Sequence, residues 1–307
     1  MHKVLQFVAT AEDEGNTVRD VLQKKHGISR RLLVRAKFHG DVTVNGEPVF
    51  VTVRLHTGDV VAVFVPEEES ETLAPEPMPL AIRYEDEDLM VLAKPAGIVV
   101  HPTRTHTHGT LANGVIAHWL KKGEVRKFRP VNRIDRDTSG LLIVAKNQWA
   151  SEQCARLQRE RVLKRTYQAV VHGLVAADEG VVDAPIGNCN DSIITRQVRE
   201  DGKPALTRYR VVGRGAGMTW MELQLETGRT HQIRVHMSYL GHPLLGDDLY
   251  GGQREFIDRQ ALHAIRLSFL HPRTQECIDI TEPLPEDIKR LISKMNEKNL
   301  QKDVGKM

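Results

Sequence analysis

The chain has 307 residues, enough for two domains, 40% of them hydrophobic and 27% charged; that balance builds a packed core and is ordinary for a globular protein. The net charge of +3 exerts only a weak overall pull on polyanions. Cys154, Cys189 and Cys277 are odd in number and far apart, which excludes a disulfide framework or a Cys-x-x-Cys metal pair and fits a reducing cytoplasm.

The opening residues contain no apolar leader, so no signal peptide is expected, and apolar runs such as Leu141 to Ala145 are too short to span a bilayer. Residues 1–65 read as a small module. Seven of its basic residues, Arg19, Lys24, Lys25, Arg30, Arg31, Arg35 and Lys37, fall within residues 17–38 against one acid, Asp20. They lie on two predicted helices. The first runs from Thr17 to His26, with Val18, Val21 and Leu22 at helical spacing. The second starts after the N-cap Ser29 and continues through Leu32, Leu33 and Ala36; Gly27 and Gly40 punctuate the ends. An Asn45-Gly46 turn predicts a hairpin between Val42–Val44 and a return strand over Val49–Val53, and a further strand follows from Val60 to Val65.

Residues 66–79 carry five acids, no bases and four prolines, the composition of a linker rather than of a core. Acid there repels polyanions such as nucleic acid, so the linker is expected to stay outside any track that binds one, and so long a linker leaves the placement of the module open. From Leu80 the pattern alternates strand and helix. Asp88 to Ala93, Leu141 to Ala145, Tyr167 to Val171 and Trp220 to Glu226 read as strands. His231 to Leu240 reads as a helix stopped by Gly241, and residues 294–307 as a polar tail.

Two segments concentrate chemistry. Arg129 to Gly140 is a polar loop with Arg133, Asp135, Arg136 and Asp137 running into a buried strand, a common way to hold reactive groups on a rigid scaffold. Composition alone reads it as a surface turn with mutual ion pairs. Thr227 to His236 follows a strand and opens a helix, with Arg229, His231, Arg234 and His236 in its first turns. His231 and His236 are five apart, poor spacing for a shared metal, and read better as packing and hydrogen-bonding groups. His106 and His108 offer a chelating spacing only if extended; an ordered loop fits them better. Lys94 reads as the anchor of a Lys94-Pro95-Ala96-Gly97 turn rather than as a catalytic lysine.

These segments resemble the RluA-type RNA pseudouridine synthases. Asn132-Arg133-Ile134-Asp135 through Thr138-Ser139-Gly140 is similar to that family's HRLD-x-x-T-S-G signature, and Gly228 to His236 matches its second signature across its length. Lys94 to Pro102, Lys164 to Gly173 and Leu262 to Pro272 resemble three further blocks, in the family's order. One position departs from the pattern: the family has histidine where this chain has Asn132, which leaves the role of that position open. The first 65 residues resemble the RNA-binding module named after ribosomal protein S-four.

The resemblance implies an α+β fold: a catalytic domain over residues 80–293 with a mixed, mostly antiparallel sheet, flanking helices and a basic cleft, joined to the small N-terminal module. It implies a cofactor-free, metal-free isomerisation of uridine in structured RNA, ribosomal RNA of the large subunit before transfer RNA, by a cytoplasmic monomer that does not engage membranes. Asp135 is implied as the carboxylate at the ribose, Arg234 as its cationic partner and Tyr167 as the ring on the uracil. Arg133 is implied to fill the space of a flipped nucleotide, with Arg229, His231, Arg30, Arg31, Arg35 and Lys37 binding RNA. The competing readings are an RNA-binding or ribosome-assembly protein without catalysis and a metal-dependent RNA hydrolase built on the histidines.

Overall fold

The computed structural model describes residues 1–66, 73–103, 106–189 and 192–304. The N-terminal sheet has the order β1-β4-β2-β3, formed by β1 (His2–Val8), β2 (Asp41–Val44), β3 (Glu47–Pro48) and β4 (Val60–Val65). Helix α1 (Val18–Asp20) continues as a π-type turn over Val21–Lys25, and α2 (Arg30–His39) begins where the Ser29 hydroxyl accepts the Leu32 amide at 3.1 Å. The first strand had no counterpart in the sequence reading, because His2 to Val8 alternates only weakly. The predicted return strand over Val49–Val53 is corrected to Glu47–Pro48. Asn45 and Gly46 take positive φ, 53° and 88°, and turn the chain at once, while Pro48 cannot donate to a longer ladder. The other edge of β2 is taken by β4.

The second sheet has ten strands. Its main order is β10-β13-β14-β9-β15-β8-β6-β5, formed by β5 (Ala81–Glu85), β6 (Leu89–Lys94), β8 (Ser139–Ala145), β9 (Lys164–His172), β10 (Glu179–Asp183), β13 (Leu206–Gly215), β14 (Met218–Leu225) and β15 (Leu262–Leu270). The short β7 (Arg129–Pro130) pairs with β8, and β16 (Cys277–Thr281) with β15; β11 (Ile186–Cys189) and β12 (Ser192–Val198) form a separate hairpin. Every pairing is antiparallel except β15 with β8. Helices α3 (Leu111–Lys121), α4 (Gln148–Arg159), α5 (Gln232–Tyr239) and α6 (Glu286–Val304) flank the sheet. This is the expected mixed, mostly antiparallel α+β architecture. Helix α6 crosses residue 293, where the sequence reading began a tail, because Ile288, Leu291 and Met295 recur at helical spacing and bury against Val170 and Met218. Among the described residues no helix is long and apolar enough to cross a membrane.

Strand β8 is buried along all seven residues and β6 along all six. Such strands read as continuous apolar runs because both faces are covered. At the start of β8, Gly140 has φ 108°, and a Cβ there would lie 2.2 Å from the Ala264 carbonyl oxygen. Only glycine lets β15 approach this closely in parallel register, His263 beside Ser139.

The two sheets share one apolar core: Val4, Leu5, Leu22 and Ile28 pack in the same cluster as Leu89, Val91, Ile143 and Trp149. Trp149 Nε1 donates to the His26 carbonyl at 3.0 Å, Gln153 Nε2 to that of Gly27 at 2.8 Å, and the Ser29 hydroxyl to Glu152 at 2.9 Å. Arg273 donates to the Val4 carbonyl and to both oxygens of the buried Asp88 while lying over the Trp149 ring. Part of the acidic stretch is also docked: Leu73 is buried, the Asn113 side chain donates to the Ala74 carbonyl at 2.8 Å, and Glu76 accepts from the Gly109 amide at 2.8 Å.

Replacing Gly140 with alanine forces a left-handed β-carbon into backbone. We expect Gly140→Ala to lower the unfolding free energy by about 3 kcal/mol or more, read from denaturant midpoints; an unchanged midpoint contradicts this account of the β8–β15 contact.

Candidate active site

Asp135 projects from the loop that enters β8. Alternation places Ile134 in the core and leaves the Asp135 side chain 26% exposed. The loop is pinned from both sides. The Asn132 side-chain carbonyl accepts the Ile143 amide at 2.8 Å, and the Val131 amide donates to the Ile143 carbonyl at 2.8 Å. Asn132, the position that departs from the family pattern, is thus a buried peg holding the loop to the strand it precedes. On the other side Lys94, 1% exposed, donates to the Pro95 and Arg136 carbonyls, both at 2.7 Å, and the Gly97 amide reaches the Arg136 carbonyl at 2.9 Å. Lys94 therefore anchors the loop, as its turn motif suggested.

Arg234 comes from α5. His231 caps that helix with φ 57°, and Gln232 locks the preceding loop: its carbonyl accepts from Thr227 Oγ1 at 2.8 Å and the Arg229 amide at 2.9 Å, while its amide donates to the Leu206 carbonyl and Thr207 Oγ1. Arg234 is buried. Its Nη1 donates to Asp135 Oδ2 at 3.0 Å. Its Nε and Nη2 donate to Asp247 Oδ2 and Oδ1 at 2.7 and 2.8 Å. The two-pronged grip thus falls on Asp247, and Asp135 receives a single bond. Burial opposes the Arg234 charge, but the Asp247 hydrogen bond and the charges of both carboxylates outweigh it and hold the guanidinium above the ordinary arginine value.

Around this pair lies a cleft of about 880 Å³ lined, among the described residues, by Arg133, Arg136, Arg159, Arg161, Arg165 and Arg229 against two acids, Asp135 and Glu226. That imbalance suits a polyanion. Tyr167, on β9, lines it with its ring 4% exposed. Burial first, and the Asp135 charge second, push its hydroxyl up and outweigh the lowering by Arg165. Arg133 stands exposed at the cleft beside Asp135. Arg229 is exposed and donates to the Pro204 carbonyl at 2.9 Å.

His231 sits deeper than an RNA-contacting side chain on an open surface would. Its Nε2 lies 3.9 Å from Asp135 Oδ1, and its Nδ1 2.8 Å from the Tyr250 hydroxyl. Burial lowers its pKa and outweighs the raising charge of Asp135. His236 is a satisfied core histidine bonded to Thr207 Oγ1 and the Ala184 carbonyl, both at 2.9 Å. His108 is paired with Glu76, and among the described residues no three potential metal ligands cluster.

Arg30, Arg31 and Lys37 lie exposed along α2. Arg35 is half-buried and turns inward, donating to the Pro66 carbonyl at 3.2 Å. Sequence reasoning missed Asp247 and Tyr250, the latter with its ring 4.9 Å from the Arg234 guanidinium carbon. The signal available for them was a turn after α5 in which Gly246 precedes Asp247 and Gly251-Gly252 follows Tyr250.

Comparison with known proteins shows the family to which the chain belongs. A family model described as RNA pseudouridylate synthase matches residues 88–239. The uncharacterized RNA pseudouridine synthase YjbO of Bacillus subtilis is 52% identical over 88% of this chain and 96% of its own. The ribosomal large subunit pseudouridine synthase D of Neisseria meningitidis is 41% identical over 83% of this chain and 71% of its own. The solved structure of human RNA pseudouridylate synthase domain containing 1 is 29% identical, with a TM-score of 0.55, over 72% of this chain and 97% of that one.

The buried Lys94 yields a pH test. Desolvation depresses its pKa from 10.5 to about 7, against the raising charges of Asp137 and Asp135. Between those values the unfolded chain binds the extra proton, so this group makes stability rise with pH across that window. We expect the stability of the parent relative to Lys94→Met to increase by about 1 kcal/mol per pH unit from roughly pH 7 to 9, measured by denaturant unfolding; parallel pH curves for the two proteins contradict it.

Proposed function

The chain belongs to the RluA-type branch of the RNA pseudouridine synthases, and on that premise we propose that Asp135 is the carboxylate that acts at the ribose, on a uridine flipped into the cleft from large-subunit ribosomal RNA. The observation that carries the reading is the single hydrogen bond of 3.0 Å from buried Arg234 to Asp135, at the edge of an arginine-lined cleft.

The isomerisation breaks the bond from the ribose anomeric carbon to uracil N1 and forms one from that carbon to C5. The C5 proton is lost and N1 regains one. Atoms and electrons balance within the substrate, so the protein needs to supply only position, charge and proton transfer. Arg234 sets an opposite charge and one hydrogen bond against the partly buried Asp135. The remaining carboxylate oxygen is left to act on the sugar, as nucleophile or as base. On this reading the Tyr167 ring meets the uracil face, and burial pushes the pKa of its hydroxyl up.

A uridine inside folded RNA reaches this cleft only by leaving its stack, at a cost of about a few kcal/mol. On this reading Arg133, exposed next to Asp135, fills the vacated space. Arg30, Arg31 and Lys37 on the S-four-like module add phosphate contacts that carry no sequence information. The ribosomal target is supported by relatives named as large-subunit synthases in Neisseria meningitidis and, at 38% identity, Vibrio cholerae. One chain supplies every group named, so a monomer suffices.

Tritium release from RNA carrying 5-tritiated uridine reports loss of the C5 hydrogen directly. We expect Asp135→Ala and Asp135→Asn to lower release by about 10⁴-fold or more while RNA affinity stays within about threefold, since the phosphate contacts persist; turnover in either variant sinks the assignment. Arg30→Glu with Arg31→Glu should weaken binding and flatten the slope of log affinity against log salt by about 1 to 2. An unchanged slope removes α2 from the RNA track.

A further inference from the structure

Asp247 lies outside every motif that marks the site, yet it takes two of the three hydrogen bonds that Arg234 makes to carboxylates. Its side chain is 1% exposed. A guanidinium is a rigid plane with donors in fixed directions. Once Nε and Nη2 are bound to one carboxylate, the plane is set and so is the direction of Nη1. The Tyr250 ring covers one face of that plane at 4.9 Å. Tyr250 is itself held, since its hydroxyl accepts the Arg196 amide at 3.0 Å.

The turn that carries Asp247 is anchored by backbone. Its amide donates to the Leu244 carbonyl at 3.2 Å, and its carbonyl accepts from Tyr250 and Gly252 amides at 3.1 and 2.7 Å. The neighbouring Leu245 bonds to Val170 of β9 and to Ala261. Gly246 passes so close to the chain before β15 that a Cβ would lie 2.0 Å from the Arg259 carbonyl oxygen. The carboxylate is therefore fixed by the same sheet that carries Tyr167.

An arginine and a carboxylate left to themselves favour the two-pronged pair. Such a pair would engage both oxygens of Asp135. With Asp247 occupying the fork, only Oδ2 of Asp135 is used, and one cation is shared between two carboxylates. We propose that Asp247 is a positioning residue: it holds Arg234 to a single bond on Asp135, so that Oδ1 stays open to the ribose. This rests on the roles assigned above to Asp135 and Arg234.

The test uses the full chain in excess over total RNA labelled with 5-tritiated uridine, taken from cells lacking the protein. Tritium release, filter retention of that RNA and melting temperature are measured for Asp247→Asn, Arg234→Lys and the pair. Asp247→Asn should slow release about 100-fold, the effect of a misplaced catalytic group, with RNA retention within about threefold, because the phosphate contacts are untouched. The double variant should be no slower than Arg234→Lys alone, because both changes break one device. A parental rate in Asp247→Asn, or losses that multiply in the pair, overturns the proposal. Where Asp247→Asn unfolds by stranding the buried guanidinium, Asp247→Glu keeps the charge and displaces the clamp by one methylene. It should slow release about tenfold or more with retention unchanged, and a parental rate there overturns the proposal too. Asp135→Ala in the same assay separates the levels. Turnover in that variant removes the reading of the site; an inactive Asp135→Ala beside an unimpaired Asp247→Asn removes only the role of Asp247.

Discussion

One buried guanidinium organises this molecule's chemistry. Arg234 meets two carboxylates from different parts of the chain, Asp135 before β8 and Asp247 after α5. A buried cation is costly unless paired and hydrogen-bonded, so the fold must bring both acids to it. Three segments separated by up to 112 positions, from Asp135 to Asp247, therefore converge on one group. The cleft follows from that convergence, because Asp135, Tyr167 and His231 all border the same guanidinium or its immediate neighbours.

The precision of the meeting comes from the sheet rather than from the loops. Strand β8 is buried throughout, and the Asp135 loop is tied to it by Asn132 and Val131 and to β6 through Lys94. The side chain at position 132 is a hydrogen-bond acceptor for the strand backbone. Asparagine fills that role, and its buried Nδ2 has no hydrogen-bond partner among the described residues. Lys94 does similar work at the other end of the loop. Its depressed pKa is a by-product of burial among carbonyls, so a strongly perturbed group beside the candidate site can be structural.

The N-terminal module is joined to the catalytic sheet by a shared core and by polar bonds from α4 and Arg273. Its exposed basic residues Arg30, Arg31 and Lys37 thus keep a fixed relation to the arginine-lined cleft, which favours a substrate whose shape spans both. Arg35 shows the limit of counting charge along a helix. It belongs to the same basic run, yet it faces the catalytic unit and bonds to the Pro66 carbonyl.

The sequence by itself determined the reaction class, the α+β character and most strand and helix positions. Those properties live in local periodicity, in caps such as Ser29, and in contiguous motifs around Asp135 and Arg234. It also pointed to Asn45-Gly46 as a turn, though not to the two-residue strand that follows, since a proline at position 48 ends a ladder only in the context of its neighbours. What tertiary structure alone decided was pairing. Asp247 and Tyr250 gain meaning only when the turn after α5 folds back onto Arg234. Arg35 and His231 change from presumed surface contacts to partly internal ones, and the place of the N-terminal module follows from a core that neither half contains alone. Each of these is a contact between residues distant in the chain, and a pattern read along the chain carries no information about which distant groups will share one cation.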